Sequence, residues 1–140
     1  MSYSLAVQSG DLVLQGTELA IVYGISKLKQ DLMLWTQEGY GVDRFHPDMG
    51  SALQDAIGSV ISPHTHAQIQ SEMARTLDNY ARVQLQGFKA NPRVYSLTEL
   101  LASVDDINVG ISYDTVRVGA SVRTAASATT NVTFSSALGA

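Results

Sequence analysis

The stretch Val109-Gly110-Ile111-Ser112-Tyr113-Asp114-Thr115-Val116-Arg117-Val118-Gly119-Ala120-Ser121-Val122 decides how this chain is read. Apolar residues fall on alternate positions at Val109, Ile111 and Tyr113, and again at Val116, Val118, Ala120 and Val122. A period of two belongs to strands with one buried face, and Asp114-Thr115 between the runs reads as a tight turn. The stretch therefore predicts an antiparallel hairpin near the C-terminal end.

On either side of it the pattern stays strand-like. Asn91-Pro92 breaks the chain, and Arg93–Leu101, with Val94, Tyr95 and Leu97, reads as a strand. After Arg123 the last seventeen residues, TAASATTNVTFSSALGA, carry no charged side chain. They are expected to form one more strand through Val132 and Phe134, or a loose tail.

The middle of the chain has helical spacing. Ile25, Leu28, Leu32 and Trp35 predict a helix over 25–36, with Ser26 as a cap. The segment Gln37 to Gly50, with three glycines and a proline, predicts a loop. Leu53, Ala56, Ile57 and Val60 mark a short second helix from Ser51. Ser62-Pro63 fits the start of a third, lined by Ile69, Met73, Leu77 and Tyr80, with Gly87 as its stop. Trp35 at helical spacing is expected in the core.

At the N-terminal end, Leu12 and Leu14, then Leu19, Ile21 and Tyr23, alternate between the turn signals Ser9-Gly10-Asp11 and Gln15-Gly16-Thr17. The order β–β–α–α–α–β–β–β argues an α+β fold: a mostly antiparallel sheet from the N- and C-terminal strands, with three central helices on one face. The terminal strands are expected to meet in one sheet. Residues 1–123 read as a single domain and 124–140 as a tail or extra strand, with no long linker and no internal repeat.

Composition narrows the function classes. Of 140 residues, 45% are hydrophobic and only 16% charged, with nine Lys+Arg against thirteen Asp+Glu and a net charge of −4. No basic patch suits nucleic acid. No apolar run has the length of a membrane-spanning helix, and no secretory signal pattern opens the chain. The absence of cysteine removes disulfides, thiolate metal sites and a cysteine nucleophile.

Few residues suggest chemistry. His64 and His66 are two apart, which on a helix points them away from a common ion, and His46 stands alone, so no metal site is expected. Glu38, Asp43 and Asp48 share one loop and could imitate the carboxyl pair of a glycosidase, but loop acids more often form turns. Gly39-Tyr40-Gly41 lacks the spacing of a phosphate loop. No catalytic residue, metal or cofactor is assigned. Interaction surface remains, because the apolar strands near the chain end and the uncharged tail lack features that discourage strand addition.

Two motifs carry a resemblance. Lys27-Leu28-Lys29-Gln30-Asp31-Leu32, followed by Arg44-Phe45-His46-Pro47-Asp48-Met49-Gly50-Ser51-Ala52-Leu53, resembles the baseplate wedge family of contractile phage tails, found also in type VI secretion baseplates. That family has a Lys-x-x-Gln-Asp-like helix start, a Pro-x-Tyr/Phe-Gly-Ser-x-Leu turn, a long helix and a Glu-Pro-Arg motif entering a strand. Asn91-Pro92-Arg93 stands at that last place, with Asn91 for the Glu, and Met49 replaces the usual aromatic.

The resemblance covers about residues 11–118. It implies a structural role in the virion tail, assembled in the host cytoplasm at about six copies per particle. Its partners would be baseplate wedge proteins and tail sheath subunits, with sheath assembly initiated by strand pairing. The implied partner-binding residues are Arg44, Asn91, Pro92 and Arg93 toward the wedge. Val109, Ile111, Tyr113, Val116, Val118 and Val122 would lie on strand edges offered to sheath. No nucleic acid, membrane or small-molecule partner is expected. The rival reading is a small peptidoglycan-cleaving, lysozyme-like hydrolase.

Overall fold

The computed structural model describes residues 2–58, 63–112 and 115–137. The fold is α+β, with three helices and antiparallel strands among the described residues. Helix α1 spans Gly24–Gln37, α2 spans Leu53–Gly58 and α3 spans Thr65–Ala90. Strands β1–β6 precede the helices and lie within Tyr3–Tyr23. Strands β7 (Leu101–Ser112), β8 (Thr115–Thr124) and β9 (Thr129–Ala137) follow them.

The hairpin expected from the alternation is present. Val109 pairs with Val118 and Ile111 with Val116 in an antiparallel β7–β8 register. The uncharged segment adds β9 on the far side of β8, with Val132 opposite Ala120 and Phe134 opposite Val118. Tyr113 and Asp114 lie outside the described residues, as do Val60 and Ser62.

The core lies on one face of this sheet. Val116, Val118, Ala120 and Val122 of β8, with Val132 and Phe134 of β9, meet Leu28 and Leu32 of α1, Leu53 of α2, and Ile69, Met73, Leu77 and Tyr80 of α3. These are the residues at period two and period 3.6, so the patterning set both layers. Trp35 packs against that core, edge-on to Tyr80 with ring centroids 5.2 Å apart. A Met73→Ala cavity at such a site costs about 2–5 kcal/mol.

Several expectations are corrected. The terminal strands do not share a sheet: β7-β8-β9 form one, and the N-terminal strands pair only among themselves. Helix α1 begins at Gly24, so Ser26 lies inside it rather than capping it. Helix α3 passes through Gly87 and stops at Asn91, ahead of Pro92, which disfavours helix in the residue before it. Gly87 is instead a close-approach site, where a Cβ would meet the Tyr95 hydroxyl. Arg93 to Leu100 form turns, and the strand starts only at Leu101.

The N-terminal strands make a three-leaved arrangement. β1 (Tyr3–Leu5) pairs with β6 (Ile21–Tyr23), β2 (Val7–Gln8) with β3 (Asp11–Leu12), and β4 (Leu14–Gln15) with β5 (Glu18–Leu19). At the centre, Ala6 N–H donates to Ala20 O at 2.8 Å, Val13 N–H to Ala6 O at 3.0 Å and Ala20 N–H to Val13 O at 2.8 Å. The three pivots are seven residues apart, and so is the sequence around them: LAVQSGD at 5–11, LVLQGTE at 12–18 and LAIVYGI at 19–25. The chain does contain an internal repeat, made of short hairpins. Positive φ at Ser9, Gly10 and Gly16 gives the primed two-residue turns that match strand twist.

Candidate interaction surface

The sheet has two outer edges, and they differ. Gln70 Nε2 donates to Ile107 O at 3.4 Å, and His66 Nε2 lies 3.2 Å from Val109 O. Both carbonyls therefore point away from β8, toward α3. On an antiparallel strand the outward groups alternate. Residues 107, 109 and 111 of β7 thus face outward, and 116, 118 and 120 of β8 face β9. By the same alternation, Asn131, Thr133 and Ser135 present their main-chain N–H and C=O to the open side of β9.

The β7 edge is blunted along its length. Its first half carries register shifts between Leu101 and Ser103 and between Val104 and Asp106, beside Asp105, which pairs with Arg123 at 3.0 Å. Its second half meets the side chains of α3. Bulges, charges and a covering helix are the devices that discourage strand addition. No bulge interrupts the β8–β9 register, although α1 packs beside β9 as α3 packs beside β7. Strand β9 has no charged residue.

This geometry corrects the assignment of strand residues to an edge. Val116, Val118 and Val122 are fully buried on β8, the central strand, with both of its sides paired. Val109 is partly buried against the core and Ile111 is half-exposed on the blunted edge. The alternation that marked these residues reported core packing, not free edge.

The motif residues assemble on the other side of α1. Gln30 clamps the three-leaved unit: it accepts from Val7 N–H at 2.9 Å and donates to Leu5 O at 2.8 Å, spanning the pivot Ala6. Asp31 accepts from Lys27 Nζ at 2.6 Å and from the Tyr80 hydroxyl at 3.4 Å. Burial, then the Asp31 charge, pushes the Tyr80 phenol upward, so it stays protonated. Lys27, Asp31, Trp35, His46, Met49 and Tyr80 line part of a cleft of about 260 Å³.

The loop between α1 and α2 is tied at its base. Ser51 Oγ donates to Thr36 O at 2.6 Å, and Ser51 N–H to Glu38 O at 2.8 Å. Gly50, at φ +102°, has no room for a side chain, because a Cβ would lie 2.6 Å from Gly39 O. Asn79 Nδ2 holds Asp48 O at 3.0 Å. Arg75 pairs with Glu72 at 2.6 Å and stacks 4.5 Å from the Tyr40 ring centroid. From this fixed base the tip projects Phe45, 90% exposed, beside the exposed Arg44.

Asn91 caps α3 through its backbone, with N–H to Gly87 O at 3.0 Å. Pro92 and Arg93 follow in an exposed turn, and neither Arg44 nor Arg93 has a partner among the described residues. Glu99, which the sequence did not single out, is buried. Its carboxylate accepts from Ser2 Oγ and from Ser96 N–H, both at 2.8 Å, and so ties the start of the chain to the turn before β7.

Of the loop acids, Asp43 is engaged within its own loop. Asp43 bonds His46 at 3.0 Å and Phe45 N–H at 2.9 Å, and the His46 contact above all holds its carboxyl below the usual range. A general acid needs the opposite shift. The cleft beside α1 is lined by a single carboxylate, Asp31. His66 is spent on Val109 O, and His46 on Asp43.

The fold has a solved counterpart. The crystal structure of a putative tail lysozyme from Geobacter sulfurreducens superposes with a TM-score of 0.59 at 15% identity, over 91% of this chain and 96% of that one. The likeness is one of fold. No protein-family model matches the chain, and no curated protein matches it.

Proposed function

We propose that this chain is a structural component of a contractile tail baseplate, joining wedge proteins to the first sheath ring by strand addition at β9. The observation that carries the proposal is the asymmetry of the sheet: β7 is bulged, charged and bonded by side chains of α3, whereas β9 has neither bulge nor charge. An incoming strand would gain main-chain hydrogen bonds from Asn131, Thr133 and Ser135, and the alternation of β9 would set its register. The exposed Phe45 and Arg44 tip and the Arg93 turn would meet wedge partners, an aromatic and two free guanidinium groups being suited to interface centres. Fold similarity to a protein described as a tail lysozyme supports a tail setting.

Purified tail particles test the proposal. Mass spectrometry should find the chain in intact particles, and antibody-gold labelling should place it at the baseplate end. Its absence from particles would overturn the reading. So would clearing of peptidoglycan by the purified chain that is lost in Glu38→Gln or Asp48→Asn, because that outcome belongs to the hydrolase.

A further inference from the structure

The three-leaved N-terminal unit turns its apolar face outward. Its pairings set Tyr3 opposite Tyr23, Leu5 opposite Ile21, Val7 opposite Leu12 and Leu14 opposite Leu19. Directly opposed residues share a face, and so do residues two apart on a strand. Each leaf therefore gathers its large apolar pairs on one side, with Val13 and Val22 apart from them. That side is exposed: the repeat-equivalent Leu5, Leu12 and Leu19 are 43%, 47% and 44% accessible, and Leu14 is 68% accessible. The other side carries Ala6, Val13, Ala20 and Val22, which are half-buried. Apolar faces on three adjoining leaves, left open to water, mark an interaction site.

Charge identifies the occupant. The seventh position of the first two repeats is acidic, Asp11 and Glu18, one at the end of each hairpin turn. Residues 2–23 contain no Lys, Arg or His, and the first cation is Lys27 on α1, already paired with Asp31. An acidic rim repels anionic lipid and phosphate. A second copy would bring four carboxylates together across one contact. A partner protein segment with apolar residues at its centre and Lys or Arg at its flanks satisfies both the face and the rim. The groove of about 560 Å³ between the first hairpin and α1, lined by Val7, Met33 and Leu34, extends the apolar surface toward the helix.

We infer that this face docks a basic-flanked, apolar segment of a partner protein. The site is separate from β9 and does not depend on the tail assignment.

Two synthetic amphipathic helical peptides test it, one with Leu on one face and Lys at the flanks, the other with Glu replacing Lys. Binding to the full chain is followed by amide chemical shifts. The Lys peptide should shift Leu5, Leu12 and Leu19 and bind about ten-fold more tightly than the Glu peptide at low salt. Asp11→Lys with Glu18→Lys should reverse that preference. Leu14→Ser, at an exposed position, should weaken the Lys peptide while leaving the melting temperature within a few degrees. Equal binding of the two peptides, or binding of neither, overturns the inference. Sedimentation showing a dimer that Leu14→Ser abolishes also overturns it, by making a second copy the occupant.

Discussion

His66 Nε2 lies 3.2 Å from the carbonyl oxygen of Val109, so helix α3 occupies the edge of β7 that would otherwise be open. With Gln70 on Ile107 O, it engages two outward carbonyls of that strand. In the proposed role the sheet is extended in one direction only, and a bare second edge would invite self-pairing.

Removing the cover should therefore create a second edge. His66→Ala with Gln70→Ala frees two outward carbonyls while touching no core side chain. The loss in stability should be small, about 1 kcal/mol, because the contacts are solvent-exposed. Light scattering at matched folded fraction should rise with concentration faster than for the parent chain. Unchanged scattering would mean that the bulges of β7 suffice alone.

Gln30→Ala should loosen the N-terminal unit and little else. It removes both hydrogen bonds across Ala6, at about 0.5–1.5 kcal/mol each. Hydrogen exchange should accelerate over residues 3–23, while amides of α3 and β8 keep their protection. Acceleration spread evenly over the chain would show that the unit and the core unfold together.

Acid should unfasten the loop base through Glu72. Burial raises its pKa, but the Arg75 guanidinium and the Ala52 N–H outweigh burial and hold the carboxyl below its ordinary 4.5. A lowered folded pKa gives stability that is present above the unfolded value and lost as pH falls through the folded one. Denaturant midpoints should fall as pH drops below about 4.5. Glu72→Gln should cost about 1–2 kcal/mol at pH 7, discounted because Arg75 is partly exposed, and the two curves should converge in acid.

Much of the architecture was legible in the sequence. Leu28, Leu32, Ile69, Met73 and Leu77 marked the helix faces, and the Val109–Val122 alternation marked the hairpin. What the sequence did not reveal is non-local. Alternation cannot distinguish a central strand from an edge strand, because both bury one face, so Val116, Val118 and Val122 read as edge and proved to be core. The β9 signal rested on Val132 and Phe134 among Ser and Thr. Val94, Tyr95 and Leu97 have strand-like character, yet Pro92 and the Ser96–Glu99 bonds hold that segment in turns. The burial of Glu99 depends on Ser2, 97 positions away. The repeat about Ala6, Val13 and Ala20 was hidden because each seven-residue unit holds only strands of two or three residues, too short for an alternation to stand out.

Strand addition at the β9 edge can be read from the variant Thr133→Pro. Thr133 is exposed and its N–H points away from β8, so proline there removes an outward donor while keeping the β8 ladder, as edge strands tolerate. The quantity to measure is the fraction of baseplates carrying sheath, counted by electron microscopy in particles that have incorporated the variant chain. Baseplates should assemble at parental numbers but carry little or no sheath. Sheath at parental frequency on Thr133→Pro baseplates would contradict strand addition at β9.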